Sequence, residues 1–260
     1  MSGVTSSAEL TQVAGWLAEA RQVVALTGAG ISTDSGIPDF RGPNGVWTRD
    51  PEAARIFTLQ SYVADPALRR RAWQSRRDHP AWTARPNPAH RAFVELERAG
   101  RLLAIVTQNI DGLHQRAGNA PERVIEIHGT LFAVECLGCD DRTTMREALD
   151  RVAAGEPDPP CLRCGGILKA ATISFGQSLD ATTLRRAAAA AAGCDLLIAV
   201  GTSLTVQPAA GLVEVAADAG ARVLIVNASP TPYDPLAAAV LRGPIGAVLP
   251  ELVAAAADPG

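Results

Sequence analysis

The sequence predicts an α/β fold built on a Rossmann-like, doubly wound parallel sheet, and three observations lead there. Short runs such as Leu196 to Val200 are wholly apolar, as expected of strands covered on both faces. These runs alternate with stretches of helical periodicity over short connections. Glycines, hydroxyls and amides gather directly after the runs, where the carboxyl ends of parallel strands carry binding loops. Two interruptions of the alternation add a helical lid module and a small inserted module.

The 260 residues are 47% hydrophobic and 20% charged, a globular composition. A net charge of −3 lacks the basic excess of a nucleic-acid or anionic-membrane binder, so neither partner is expected. There is no basic-then-apolar leader at the N-terminus, and no apolar run approaches the ~18 residues of a membrane span, so a cytoplasmic protein is expected. Four of the five cysteines stand in two C-x-x-C pairs, which fits a reducing compartment and a metal better than disulfides.

Ser7 to Ala20 places Leu10, Val13, Ala14 and Leu17 at helical spacing and leads into the strand Val23-Val24-Ala25-Leu26. The following loop, Gly28-Ala29-Gly30-Ile31-Ser32 through Pro38-Asp39-Phe40-Arg41, reads as a nucleotide-binding turn. Two glycines allow a tight turn and a close approach to a pyrophosphate, with amide N–H groups facing the phosphates. The G-x-G-x-x-G fingerprint is incomplete, since Thr33 takes the third glycine position and no acidic residue ends a strand about twenty positions on. An ordinary strand-to-helix turn explains the glycines, but not a carboxylate, a ring and a guanidinium at Asp39, Phe40 and Arg41.

From Gly42 to about Pro88 the periodicity weakens, which predicts short helices. The five arginines between Leu68 and His79 read first as a solvated helix face. Asn87 and Pro88 start a helix to about Arg98, and the strand Leu102 to Val106 ends in Thr107-Gln108-Asn109-Ile110-Asp111-Gly112. Asp111 would serve either as a turn cap or as a ligand. The strand Val124 to Ile127 delivers His128, whose imidazole at a strand end suits proton transfer.

Cys136-Leu137-Gly138-Cys139 and Cys161-Leu162-Arg163-Cys164 form a zinc-ribbon pattern. Four thiolates close the tetrahedron, so one structural zinc is expected, with a redox dithiol as the alternative. After the helical alanine run Ala187 to Ala192, the strand Leu196 to Val200 ends in Gly201-Thr202-Ser203-Leu204, opening a helix near Pro208. The strand Arg222 to Val226 ends in Asn227-Ala228-Ser229, where an asparagine can hold a ribose hydroxyl. Gly243-Pro244-Ile245-Gly246 precedes a closing helix to Ala257.

The Gly28–Arg41 loop, the Thr107–His114 run, His128-Gly129 and the paired C-x-x-C knuckles together resemble the sirtuin family of NAD-dependent protein-lysine deacylases, of the bacterial single-domain type. The resemblance spans about residues 10 to 255. It implies one catalytic domain over 1–260: a core of about 8–42, 88–128 and 171–257, a lid of about 43–87 and a zinc module of about 129–170. It implies that NAD is held by Gly28, Ala29, Gly30, Ser32, Asp39, Phe40, Arg41, Gln108, Asn109, Ile110, Asp111, His128, Gly201, Thr202, Ser203, Asn227, Ala228, Ser229 and the backbone of Ile245. Asn109 would order the ribose and a water, Ile110 and Asp111 would hold the nicotinamide carboxamide, and His128 would be the general base.

Acyl groups, acetyl foremost, would leave protein lysines as O-acyl-ADP-ribose with release of nicotinamide. Trp73 and Arg76 fall where sirtuins that remove acidic acyl groups carry Tyr-x-x-Arg, and Ser174, Phe175 and Gly176 fall where the family pairs its backbone with the substrate peptide. Ser174 and Gln177 depart from the family's pattern there, as Ser229 does in its ribose loop. Three other activities share these features: a dehydrogenase, a protein ADP-ribosyltransferase using the same cleft, and a non-catalytic zinc-ribbon module.

Overall fold

The computed structural model describes residues 7–257. In chain order the strands are β1 (Val23–Thr27), β2 (Leu102–Thr107), β3 (Val124–Glu126), β4 (Gly129–Cys136), β5 (Arg142–Thr144), β6 (Leu168–Thr172), β7 (Leu196–Val200), β8 (Arg222–Val226) and β9 (Ala239–Leu241). The α-helices are α1 (Ser7–Glu19), α2 (Val46–Arg49), α3 (Leu59–Ala64), α4 (Pro66–Arg77), α5 (Pro88–Arg98), α6 (Leu113–Ala117), α7 (Met145–Ala153), α8 (Ala181–Ala192), α9 (Leu212–Asp218) and α10 (Ile245–Ala257). The described chain divides into two compact units, one of residues up to 38, 84–127 and 180 onward, the other of residues 39–83 and 128–179.

The first unit is a six-stranded sheet in the order β3-β2-β1-β7-β8-β9, parallel throughout. Its central strands are buried along their whole length because both faces are covered. Side chains alternate across a strand, so Val23, Ala25, Ile198 and Leu224 pack with Leu17, Phe93, Leu96 and Leu252 of α1, α5 and α10. The intervening residues, Val24, Leu26, Leu197 and Ile225, face the side on which α8 and α9 lie. Each such side chain contributes roughly 1.5–3 kcal/mol by leaving water.

The second unit holds a three-stranded antiparallel sheet, β5-β4-β6, and the helices α2, α3, α4 and α7. Thr144 caps α7 in a reciprocal capping box with Glu147. The Tyr62 hydroxyl of α3 donates to Leu168 O of β6 at 2.8 Å, and Arg69 of α4 pairs with Asp158 at 2.8 Å.

Four features differ from the sequence reading. The sheet gains a sixth strand, β9, too short to show alternation. The helix expected near Pro208 begins at Leu212, after the turns that follow β7. Residues 171–179 fall in the second unit rather than with the sheet core, because β6 pairs with β4 and not with any parallel strand. Residues 39–83 share that unit, so the lid and cysteine segments form one body. No described helix is long and apolar enough to cross a membrane.

Candidate active site

Strand order reverses between β1 and β7, with β2 and β3 on one side and β8 and β9 on the other. At such a switch point the loops leaving the carboxyl ends diverge and open a crevice for ligands. The loops after β1 and β7 interlock there. A Cβ on Gly28 or on Gly30 would lie 2.8 Å from Gly201 O, and a Cβ on Gly201, at φ +60°, would lie 2.4 Å from Ile31 N. The Gly28 amide donates to Val200 O (3.0 Å) and the Gly30 amide to Gly201 O (2.8 Å). This corrects the reason for the glycines: what approaches their backbone is the β7 loop, and their amides are engaged by it. Ala29, at the start of the 3-10 helix Ala29–Ser35, keeps an amide with no intrahelical partner.

Ser32 in that helix is fully buried, and its hydroxyl donates to Asp111 Oδ2 at 2.7 Å. Asp111 Oδ1 accepts from the Leu113 amide at 2.9 Å, the first-turn amide of α6. Burial raises the Asp111 carboxyl above its ordinary value, against the opposing pull of the Leu113 and Ser32 hydrogen bonds and the Arg116 charge. Asn109 Nδ2 donates to Gly28 O and to Ser32 Oγ, both at 3.1 Å, while its amide donates to Thr107 Oγ1. Gln108 Nε2 donates to Thr202 Oγ1 at 2.9 Å, joining the β2 and β7 loops, and Ile110 is half-buried beside Asp111. Ser203 shares a hydrogen bond with Thr205 (2.8 Å). Asn227 is half-buried after β8, Ala228 and Ser229 are exposed, and Ile245 opens α10.

In the second unit, Asp39 Oδ1 accepts from the Gly42 amide at 2.9 Å and shapes the loop. Phe40 packs on Trp47 (centroids 4.9 Å) and edge-on to Phe57 (5.6 Å), while the Arg41 guanidinium lies 4.5 Å over the Trp47 ring. His128 is half-buried; its carbonyl accepts from Ile173 N at 2.9 Å. Gly129 follows at φ +75°, where a Cβ would lie 2.1 Å from Ala171 O, so the backbones of β4 and β6 fix the turn that carries the imidazole.

Trp73 and Arg76 of α4 are buried and line a narrow cavity with Tyr62, Lys169 and Ser174. The Arg76 guanidinium stands 5.7 Å from the Phe57 ring, with no carboxylate pairing with it among the described residues. The backbone of Phe175 is engaged within the unit, its amide donating to Phe57 O (2.7 Å) and its carbonyl accepting from Leu59 N (3.0 Å). Gln177 N donates to Ser174 O around Gly176 at φ +82°. The 174–177 run is thus a turn beside the bridge of Phe175 with Thr58.

Cys136, Cys139, Cys161 and Cys164 bring their sulfurs within 4.8 Å of one another, with pairs at 3.5 Å and 3.8 Å. Four Zn–S bonds of about 2.3 Å in a tetrahedron require sulfurs about 3.8 Å apart. The Gly138 and Gly166 amides donate to Cys136 and Cys164 Sγ.

The model of the Sir2 family matches residues 28–208. The chain is 55% identical over 231 residues, 89% of its length, to the NAD-dependent protein deacetylase 2 of Streptomyces coelicolor, covering 96% of that protein. It belongs to the Sir2 family. A Sir2 enzyme solved to explain the mechanism and regulation of these enzymes superposes with a TM-score of 0.88 at 40% identity, over 97% of this chain and 99% of that one. A Sir2 structure holding a deacetylated p53 peptide and 3′-O-acetyl ADP-ribose gives 0.86 at 33% identity, over 94% and 97%.

The side chains of this Sir2 protein fit the groups the family uses. Each Asp111 oxygen accepts one hydrogen bond and keeps capacity for an amide NH2, while Asn109 Oδ1 accepts nothing from the described residues. The four-cysteine cluster fits a structural zinc with no open position.

Three supporting residues escaped the sequence reading. Asn87 Nδ2 donates to Ile31 O (2.7 Å) and Ser35 Oγ (3.0 Å) while its Oδ1 caps α5, tying the 3-10 helix to that helix. Asp34 sets its carboxylate against the first turn of α10, where a Cβ on Gly246 would lie 2.4 Å from Oδ2. Arg242 grips the loop after β8. Only Asn87, before a proline at a helix start, carried a signal, and that signal spoke of the cap alone.

Proposed function

We propose that this Sir2 protein removes acyl groups, acetyl foremost, from protein lysines, consuming NAD and giving free lysine, nicotinamide and O-acyl-ADP-ribose. The buried Ser32–Asn109–Asp111 network at the sheet's switch point carries the reading. It holds one buried carboxylate and one amide oxygen that accepts no hydrogen bond from the described residues. When bound, NAD supplies the electrophilic sugar carbon and the nicotinamide leaving group. Asp111 accepts from the carboxamide and favours departure of a positively charged ring, while Asn109 Oδ1 orients a ribose hydroxyl or a water. Ala29, Gln108, Thr202, Ser203, Asn227, Ala228, Ser229 and Ile245 hold the rest of the dinucleotide.

His128 takes a proton from a ribose hydroxyl. Phe40, backed by Trp47, excludes water, with Asp39 and Arg41 shaping its loop. Trp73 and Arg76 form the acyl pocket, and Ser174 to Gly176 meet the peptide. The zinc stabilises its module and takes no part in the reaction. Four cysteines arranged to hold a metal rather than paired as disulfides accord with a reducing compartment, the cytoplasm.

The test is mass spectrometry of acetyl-lysine peptides with NAD, nicotinamide being quantified alongside. Loss of the acetyl group with matching nicotinamide is expected, and His128→Ala should abolish it while NAD still binds. Nicotinamide release with the peptide unchanged and ADP-ribose on protein would replace this reading by ADP-ribosyl transfer.

A further inference from the structure

We propose that Arg242 is a positioning residue for the adenosine end of the dinucleotide, acting through the loop Asn227–Ser229 rather than by touching the ligand. The inference rests on the NAD reading above. β8 and β9 end in register at Val226 and Leu241, so Asn227 and Arg242 leave the sheet side by side. The Asn227 amide donates to Leu241 O at 3.3 Å. Beyond that point nothing apolar anchors the loop, since Ala228 and Ser229 are exposed.

The guanidinium of Arg242 supplies the anchor. Its Nη1 donates to Asn227 O (2.6 Å) and to Ser229 O (2.8 Å), and Nη2 pairs with the Asp234 carboxylate. Asp234 is itself fixed by the Thr231 hydroxyl, which donates to Oδ1 at 2.7 Å. Asn227 Nδ2 donates to Ser229 O at 2.8 Å and closes the turn from within.

The same side chain stands three residues before Ile245, so it couples the loop after β8 to the segment that opens α10. Charge-assisted hydrogen bonds from a planar fork fix both loops at once, which the single ammonium of a lysine cannot do. A loop ordered before the ligand arrives spares the ligand that ordering cost.

The experiment compares wild type, Arg242→Lys and Arg242→Gln. It measures ADP-ribose affinity by calorimetry, KM for NAD and for an acetyl-lysine peptide, kcat, and the melting temperature. The expected result for Arg242→Gln is about a tenfold loss of ADP-ribose affinity and a matching rise in KM for NAD. kcat, the peptide KM and the melting temperature should stay near wild type, with Arg242→Lys intermediate in affinity. Unchanged ADP-ribose affinity in Arg242→Gln overturns the positioning role. So does a loss shared by kcat and both KM values with a lowered melting temperature, which assigns Arg242 to fold stability. Wild-type protein that binds no ADP-ribose overturns the NAD reading and this inference with it.

Discussion

The Ser32 hydroxyl donates to the Asp111 carboxylate at 2.7 Å, so a residue of the turn after β1 joins the Leu113 amide in favouring the ionised form of a buried residue after β2. Burial raises the Asp111 pKa and the Ser32 hydrogen bond lowers it. In Ser32→Ala that lowering is lost, and the carboxylate form requires a higher pH. Nicotinamide release from NAD, followed as a function of pH, should lose about tenfold in kcat/KM, and its acid limb should move to higher pH. An acid limb that stays in place would separate Asp111 from the pH dependence.

The interlock of the β1 and β7 loops predicts opposite effects for two glycine-to-alanine changes. Gly30→Ala places a methyl 2.8 Å from the Gly201 backbone and should destabilise by about 2 kcal/mol or more. Gly15→Ala, within α1 and with nothing within 4 Å, should stabilise by about 0.5–1 kcal/mol. Denaturant midpoints of the two variants check both signs.

Metal removal should act on folding rather than on NAD. Cys136→Ser, or a strong chelator, should release zinc and unravel the segment carrying β4 to β6, seen as protease sensitivity there. ADP-ribose binding by the first unit is the control that separates this from global unfolding. Structural zinc contributes about 10–16 kcal/mol of apparent binding energy in isolated peptides, so a folded, metal-free variant would contradict a structural role.

His90 and His114 form a buried pair, with ring centroids 5.0 Å apart, and the His114 Nε2 and Thr27 hydroxyl share a hydrogen bond at 3.1 Å. Burial, and after it the Arg116 and Arg91 charges, push the His90 pKa from 6.5 down to about 4; burial, and after it His90, lower the His114 pKa as well. Unfolded histidine binds a proton in that interval and the folded pair does not, so stability is complete above pH 6.5 and is lost as pH falls towards about 4. His90→Gln should flatten the slope of unfolding free energy between pH 7 and pH 5. A slope equal to that of wild type would remove His90 from the pH dependence.

Arg76 has no anionic partner among the described residues, although it is buried. Arg76→Leu should therefore be tolerated by the fold and should lower the ratio of succinyl- to acetyl-lysine turnover about tenfold. Competition between the two peptides in one reaction reads that ratio directly; an unchanged ratio would remove Arg76 from the acyl pocket.

How far the sequence disclosed this molecule depended on whether a residue's task was local. Leu196–Val200 and the four apolar residues that follow Arg222 were legible as strands because unbroken apolar runs have few other uses. The C-x-x-C pairs were equally plain, since their spacing is itself the chemistry. β9 was not, because three residues preceded by alanines show no alternation. α7 was missed although Thr144 and Glu147 announced it. The glycines of the β1 turn were found, but their reason lay more than 170 residues away at Gly201, a distance that pattern reading cannot bridge. Arg242 and Asp34 were silent for the same cause: an arginine after a strand and an aspartate in a loop look like surface until the neighbouring loop is placed.

The second unit is composed of two stretches that the chain makes at different times, residues 39–83 first and 128–179 later. During synthesis, Tyr62 and Arg69 leave the ribosome well before Leu168 and Asp158, the groups that receive their hydrogen bonds. The early helices therefore meet these partners only after the rest of their unit has been made, Leu168 emerging after all four cysteines of the cluster. A chain that stops short of Asp158 would present Tyr62 and Arg69 without either of these partners, so the unit of residues 39–83 and 128–179 cannot be completed by its first half alone.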